Sequence, residues 1–192
     1  MKAILISIQP KYVADILNGK KTLEIRKTIP QEYLDYCIDS DKKVPIDVYI
    51  YCTKDKGSHY NSRILRRYGD TFMIDKVDYK TLNPALNGKV VAKFTLNKVE
   101  ELCPVIRLAT NKVVLYRGKP NGIDNKPLLK QSCLTNEELN AYLQLGGGYA
   151  WHIDNLVVFD KPMELSNFKP HYVYPTNHRL TRAPQSWCYV EM

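Results

Sequence analysis

The chain has 192 residues, 44% of them hydrophobic and 25% charged, a balance that suits one folded domain and excludes a disordered or fibrous protein. Lysine and arginine number 28 against 20 acidic residues, a net charge of +8, and 14 residues are tyrosine. A basic surface rich in amphipathic rings suits a polyanion, because cations neutralise phosphates and ring faces accept unstacked bases; the same composition also fits a soluble, strand-rich domain.

Five cysteines, Cys37, Cys52, Cys103, Cys133 and Cys188, are odd in number, widely spaced and never in a CxxC pair, which argues against zinc. Cys52 and Cys188 lie in apolar runs and read as small buried hydrophobes in a reducing compartment. The opening MKAILISIQPK lacks a long apolar core or cleavage site, and no stretch approaches the roughly 18 apolar residues of a membrane span. The expectation is a cytoplasmic protein without membrane contact, metal or cofactor.

In chain order, Ala3–Ile8 alternates as a short strand. Pro10 opens a helix, Val13, Ile16 and Leu17 form its apolar stripe, and Gly19 supplies its left-handed stop. After the lysine pair Lys20 and Lys21 the period becomes two: Leu23 and Ile25 face one way, Thr22, Glu24 and Arg26 the other, as in a half-buried strand. Glu24 and Arg26 then stand roughly 7 Å apart at Cα, either as a functional pair or as an ion pair on a solvated face. Pro30–Lys43 reads as a short helix or irregular segment, and Asp47–Thr53 as a central strand.

Arg63, Arg66 and Arg67 have the i, i+3, i+4 spacing of one helical face and form the densest positive patch, for phosphate contact or simple solvation. After the Asn87–Gly88 turn, Lys89–Leu102 reads as one long strand. The stretch from Cys103 to Lys130 is the least legible, a hairpin with a loop at Pro120–Asn125 that resembles an insertion. Thr135 and Glu138 fit a capping box for a helix burying Leu139, Tyr142 and Leu143. Gly146, Gly147 and Gly148 follow that helix instead of preceding one, so they form no phosphate loop. Gly148–Pro162 is a strand with a bend at Asp154 and Asn155, in which His152 reads as a satisfied sheet residue. Lys169–Pro184 is polar loop, and Ser186–Met192 closes the chain as a strand.

Gly19, Lys21, Glu24 and Arg26 together resemble the signature of the ASCH family: Gly, any residue, Lys, two residues, Glu, any residue, Arg. The later GYAWHIDNLVVFDKPMEL and the closing APQSWCYVE are similar to the second signature strand and to the end of small ASCH-like proteins of bacteria and phages. The matching pieces bracket most of the chain and leave about 104–130 uncovered. The resemblance implies an α+β fold, a single PUA-like domain over 1–192 with an insertion at 104–130. It also implies a strongly curved β-barrel with helices at its ends and a cleft at the first helix and following strand that holds RNA or a nucleoside.

On that resemblance the binding residues are Lys20, Lys21, Glu24 and Arg26, with Tyr149, Trp151 or Trp187 to stack a base, and Arg63, Arg66 and Arg67 as a secondary basic patch. The partner is RNA, another nucleic acid or a modified nucleoside. One branch of the family resembles an amidohydrolase that removes acyl groups from the exocyclic amine of cytidine, with a motif lysine, a threonine three residues on and a carboxylate elsewhere. Lys21 matches that lysine, whereas Glu24 occupies the threonine position. The proposed nucleophile is therefore missing, so binding ranks ahead of catalysis by Lys21 and Glu24.

Overall fold

The first strand, β1 (Ala3–Ile8), is buried along its whole length, as a strand covered on both faces must be. It pairs in parallel with β3 (Ile46–Cys52) and antiparallel with β12 (Trp187–Glu191). The computed structural model describes residues 2–34, 45–54, 63–76, 85–107, 112–117, 125–144, 146–171 and 178–192. The chain divides into two units, the first made of Met1–Lys20, Ile46–Thr95 and Asn155–Met192, the second of Lys21–Pro45 and Leu96–Asp154.

In the first unit the main sheet runs β10 (Asp154–Met163), β6 (Val90–Leu96), β3, β1, β12, β11 (Lys169–Pro170). Ala3, Leu5, Tyr49, Tyr51, Val90, Phe168 and Val190 form the core on one face. Ile4, Ile6, Val48 and Ile50 on the alternate positions are fully buried, as are Val13 and Ile16 of α1 (Pro10–Leu17). Each such side chain contributes about 1.5–3 kcal/mol relative to exposure. Pro10 sits in the first helical turn and Gly19, at φ 71°, takes the left-handed stop, as the pattern requires.

The arginine run departs from expectation. Arg63–Tyr68 is a strand, β4, paired antiparallel with β5 (Thr71–Lys76) across a turn at Gly69, not a helix. Its fate is tertiary: the Asn18 amide at the end of α1 donates to the Phe72 carbonyl at 2.7 Å and accepts from the Phe72 N–H at 3.0 Å. Asn87 treats β4 similarly, accepting from the Leu65 N–H at 2.8 Å and donating to the Arg63 carbonyl at 2.9 Å.

The second unit is a sheet ordered β2 (Leu23–Arg26), β9 (Gly148–His152), β7 (Val99–Arg107), β8 (Lys112–Arg117). It carries α2 (Gln31–Leu34), α3 (Lys126–Ser132) and α4 (Asn136–Leu143). Leu23, Ile25, Leu102, Ala150, Leu128, Leu139 and Leu143 make its core, joining one sheet face to α3 and α4. The expected long strand after Lys89 is two strands, because the chain leaves the ladder at Asn97 and Lys98 before β7 begins. The β7–β8 pair is the expected hairpin, while Cys37, most of Pro30–Lys43 and the Pro120–Asn125 loop as far as 124 lie outside the described residues.

The α+β class is as expected, but no sheet closes into a barrel among the described residues. The six-stranded sheet ends at β10 on one side and at the two-residue β11 on the other. Pro162 in β10 and Pro170 in β11 lack the N–H that extending a ladder at these edges would use. No helix among the described residues is long and apolar enough to cross a membrane.

Candidate functional site

Strand β2 places the site. Its start is pinned by the Thr22 N–H donating to the Gln131 carbonyl at 2.8 Å and by the Ile153 N–H donating to the Thr22 carbonyl at 3.0 Å. Antiparallel pairing with β9 sets Glu24 opposite Trp151 and Arg26 opposite Tyr149, so these four side chains share one sheet face. Leu23 and Ile25 take the other face and its core. The half-buried strand expected here is buried at every position, and with it Lys21, Glu24 and Arg26 are only 3%, 7% and 6% exposed.

Those three charges form one network. The Lys21 ammonium donates to the Ser132 carbonyl at 2.7 Å and lies 3.3 Å from Glu24 Oε2. Glu24 Oε1 takes Arg26 Nη2 at 3.0 Å. The Ser132 carbonyl belongs to the last turn of α3, where Cys133 turns left-handed at φ 52° and backbone acceptors lack helical partners; an ammonium there satisfies one and meets the negative end of the helix dipole. Tyr142 of α4, a helix whose start is fixed by the Thr135–Glu138 capping box, lies near Arg26 and Glu24. Burial pushes the Tyr142 phenol above its ordinary value; the Arg26 charge and hydrogen bond oppose the rise and the Glu24 carboxylate adds to it. Lys27 Nζ stands 5.5 Å from the centroid of the Tyr142 ring.

Gly148 at the head of β9 allows this closeness, since a Cβ there would come within 2.9 Å of the Arg26 carbonyl and 2.6 Å of Leu143 Cδ2. Gly148 thus serves packing, and α4 already ends at Gln144, left-handed at φ 50°.

No protein-family model and no curated protein matches the sequence. Solved structures do. The crystal structure of ASCH from Zymomonas mobilis matches over 98% of this chain and 87% of that one, with a TM-score of 0.51 and 14% identity. A mutant of the same Zymomonas mobilis protein, ZmASCH, matches at TM-score 0.51 and 14% identity over 98% of this chain and 88% of that one. The chain has the ASCH fold.

Within this ASCH fold the residues singled out from sequence separate. Lys21, Glu24, Arg26, Tyr149 and Trp151 all belong to the second unit and share the β2–β9 neighbourhood. Trp151 is fully buried and presents no ring face to a ligand, while Tyr149 is half-buried. Lys20, exposed, closes the first unit with its N–H on the Asp15 carbonyl. Trp187 is also in the first unit, half-buried and edge-on to Tyr189 at 5.4 Å.

The arginines of β4 do not make one patch. Arg66 is buried against Asp75 at 3.1 Å, whereas Arg67 meets the exposed Asp160 at 3.4 Å and Arg63 is exposed. His152 is a sheet residue with its Nε2 3.0 Å from Glu100 Oε1, a carboxylate that Lys98 also approaches at 2.5 Å. Among the described residues no cluster of His, Cys, Asp and Glu is arranged to hold a metal.

Two members of the site were not singled out by sequence reading. Ser132 acts through its backbone carbonyl, which no side-chain pattern reveals. Tyr142 was placed in the buried stripe of α4, yet it is 39% exposed while Leu139 and Leu143 are buried; its position at the margin of that stripe was the available signal.

Proposed function

We propose that the chain is a nucleic-acid or nucleotide binding module of the ASCH, PUA-like type, working in the cytoplasm. The observation that carries this reading is the buried Lys21–Glu24–Arg26 network on β2. Holding three charges out of water is a poor way to gain stability, because desolvation consumes most of the attraction. It is a good way to build a rigid recognition element. A carboxylate fixed between two cations is a preorganised acceptor for an exocyclic amine, and the planar guanidinium offers a fork to a phosphate or base edge. The ASCH fold and the +8 net charge support the same reading.

The test is titration of the full chain with a single-stranded RNA at low salt. Arg26→Lys keeps the charge and removes the fork, and it is expected to weaken binding about tenfold or more, the scale of a charged hydrogen bond. Melting curves establish that the variant is folded. Wild-type affinity and an unchanged salt slope in folded Arg26→Lys would remove this site from consideration.

A second reading rests on the 3.3 Å approach of Lys21 Nζ to Glu24 Oε2, within reach of an acid/base pair. It makes the chain an amidohydrolase of acylated cytidine-type nucleosides and requires acetate release that Lys21→Ala abolishes. No turnover across a panel of acylated nucleosides discards it.

A further inference from the structure

We infer that Tyr142 is the ring on which the ligand stacks, and that the ligand is a nucleotide unit whose base covers that ring and whose phosphate is taken by Lys27. This rests on the binding reading above and assigns its aromatic and anionic elements.

The aromatic residues beside the charge network differ in what they can offer. Trp151, directly across from Glu24, is fully buried, and Tyr149, across from Arg26, is half-buried within the sheet. Tyr142 approaches from α4 and is 39% exposed, the large ring beside the network that solvent reaches most freely among those described. Arg26 and Glu24 both act on its phenol, which places the ring beside the charge network. The ring thus stands beside the contacts that run from the Ser132 carbonyl through Lys21 and Glu24 to Arg26.

The ring face already has a partner of the right kind. Lys27 Nζ lies 5.5 Å from its centroid, in the range of a cation–π contact, and Lys27 is itself exposed. At an exposed site such a contact is weak and exchangeable. A planar base brings more contact area to the ring than one ammonium does and so displaces it. The displaced ammonium, tethered next to Arg26, stays close to the base and finds the phosphate attached to it. A neutral aromatic ligand would use the ring and leave the cation without a role, and a bare anion would do the reverse; a nucleotide uses both.

The experiment compares wild type, Tyr142→Phe, Tyr142→Leu and Lys27→Ala as full chains. The probes are a single-stranded adenylate oligomer, an abasic oligomer of the same length, and adenosine monophosphate. Wild type is expected to prefer the base-bearing oligomer. Tyr142→Leu should weaken it about 5- to 150-fold, the fold-change of one lost base stack, with abasic binding unchanged. Tyr142→Phe, which keeps the ring, should stay near wild type, and Lys27→Ala should lower the salt slope by about one. Parallel loss for adenosine monophosphate identifies a free nucleotide as sufficient, and loss for the oligomer alone identifies a strand; both carry the stacking assignment.

Equal weakening of base-bearing and abasic oligomers by Tyr142→Leu would mark the residue as merely structural and overturn the inference. Retained affinity in Tyr142→Leu with lost affinity in Arg26→Lys overturns this assignment alone. Failure of wild type to bind any of the probes overturns both it and the binding reading.

Discussion

Replacing Glu24 with glutamine keeps the side-chain shape and removes a carboxylate that contacts both Lys21 and Arg26. The Lys21, Glu24 and Arg26 side chains are 2%, 9% and 8% exposed, with contacts of 3.3 and 3.0 Å, so little water is at hand to replace the lost charge. Breaking a buried pair by removing one partner costs about 3–5 kcal/mol. Domains have about 5–15 kcal/mol in total, and at this chain length each kcal/mol moves the midpoint by about 2–4 °C, so the expected fall in Tm is about 6–20 °C. Scanning calorimetry and urea unfolding measure it, the urea midpoint falling with an unchanged slope. Lys93→Ala serves as the control: its pair with Asp47 is 34% and 36% exposed and is expected to cost no more than about 1 kcal/mol. Joint replacement of Lys21 by Met, Glu24 by Leu and Arg26 by Met should recover most of the loss, because apolar packing avoids the desolvation cost. A Glu24→Gln protein that melts within about 2 °C of wild type, less than 1 kcal/mol at this size, would refute the claim that the carboxylate is what keeps two buried cations together.

Gly148→Ala should destabilise by about 1–3 kcal/mol, the scale of overpacking, because the new Cβ meets the Arg26 carbonyl at 2.9 Å and a backbone atom cannot swing away; equilibrium unfolding of a neutral Gly148→Ala variant would contradict that packing. Burial pushes the Cys52 thiol from 9.0 to about 12, and burial, then Glu32 and Asp154, push the Tyr33 phenol from 10.0 to about 12. An acid that holds its proton more tightly when folded contributes stability that is whole below its unfolded value and is lost as pH rises through the folded value. The urea midpoint is therefore expected to fall between pH 9 and 12, less steeply in a Cys52→Ala, Tyr33→Phe double variant, and an identical slope in that variant would count against the shifts.

Local chemistry made several elements readable before any coordinates. Pro10 and Gly19 delimit α1 because one lacks an N–H that the first turn does not need and the other accepts φ 71° without a Cβ clash. Thr135 and Glu138 delimit the start of α4 by reciprocal capping. The bend expected at Asp154 and Asn155 appears as a break at Ile153 and a left-handed Asn155 at φ 49°. The Lys21, Glu24, Arg26 spacing was likewise legible as a motif.

Other features depended on partners distant in sequence. Arg63, Arg66 and Arg67 carry a helical spacing, yet amide clamps from Asn18 and Asn87 and pairing with β5 hold them in a strand. Lys21 is 111 positions from the Ser132 carbonyl it binds. Trp151 reads identically as a stacking ring or a core ring until burial decides.

By itself, the sequence determined which segments start and stop, which faces are apolar, and which three charged residues could act together, because those depend on contacts within a few residues. Tertiary structure decided that the three charges are buried, that the sheets stay open among the described residues, and that Tyr142 is exposed while Trp151 is buried. Burial and long-range pairing depend on which segments meet, and that is a property of the assembled chain.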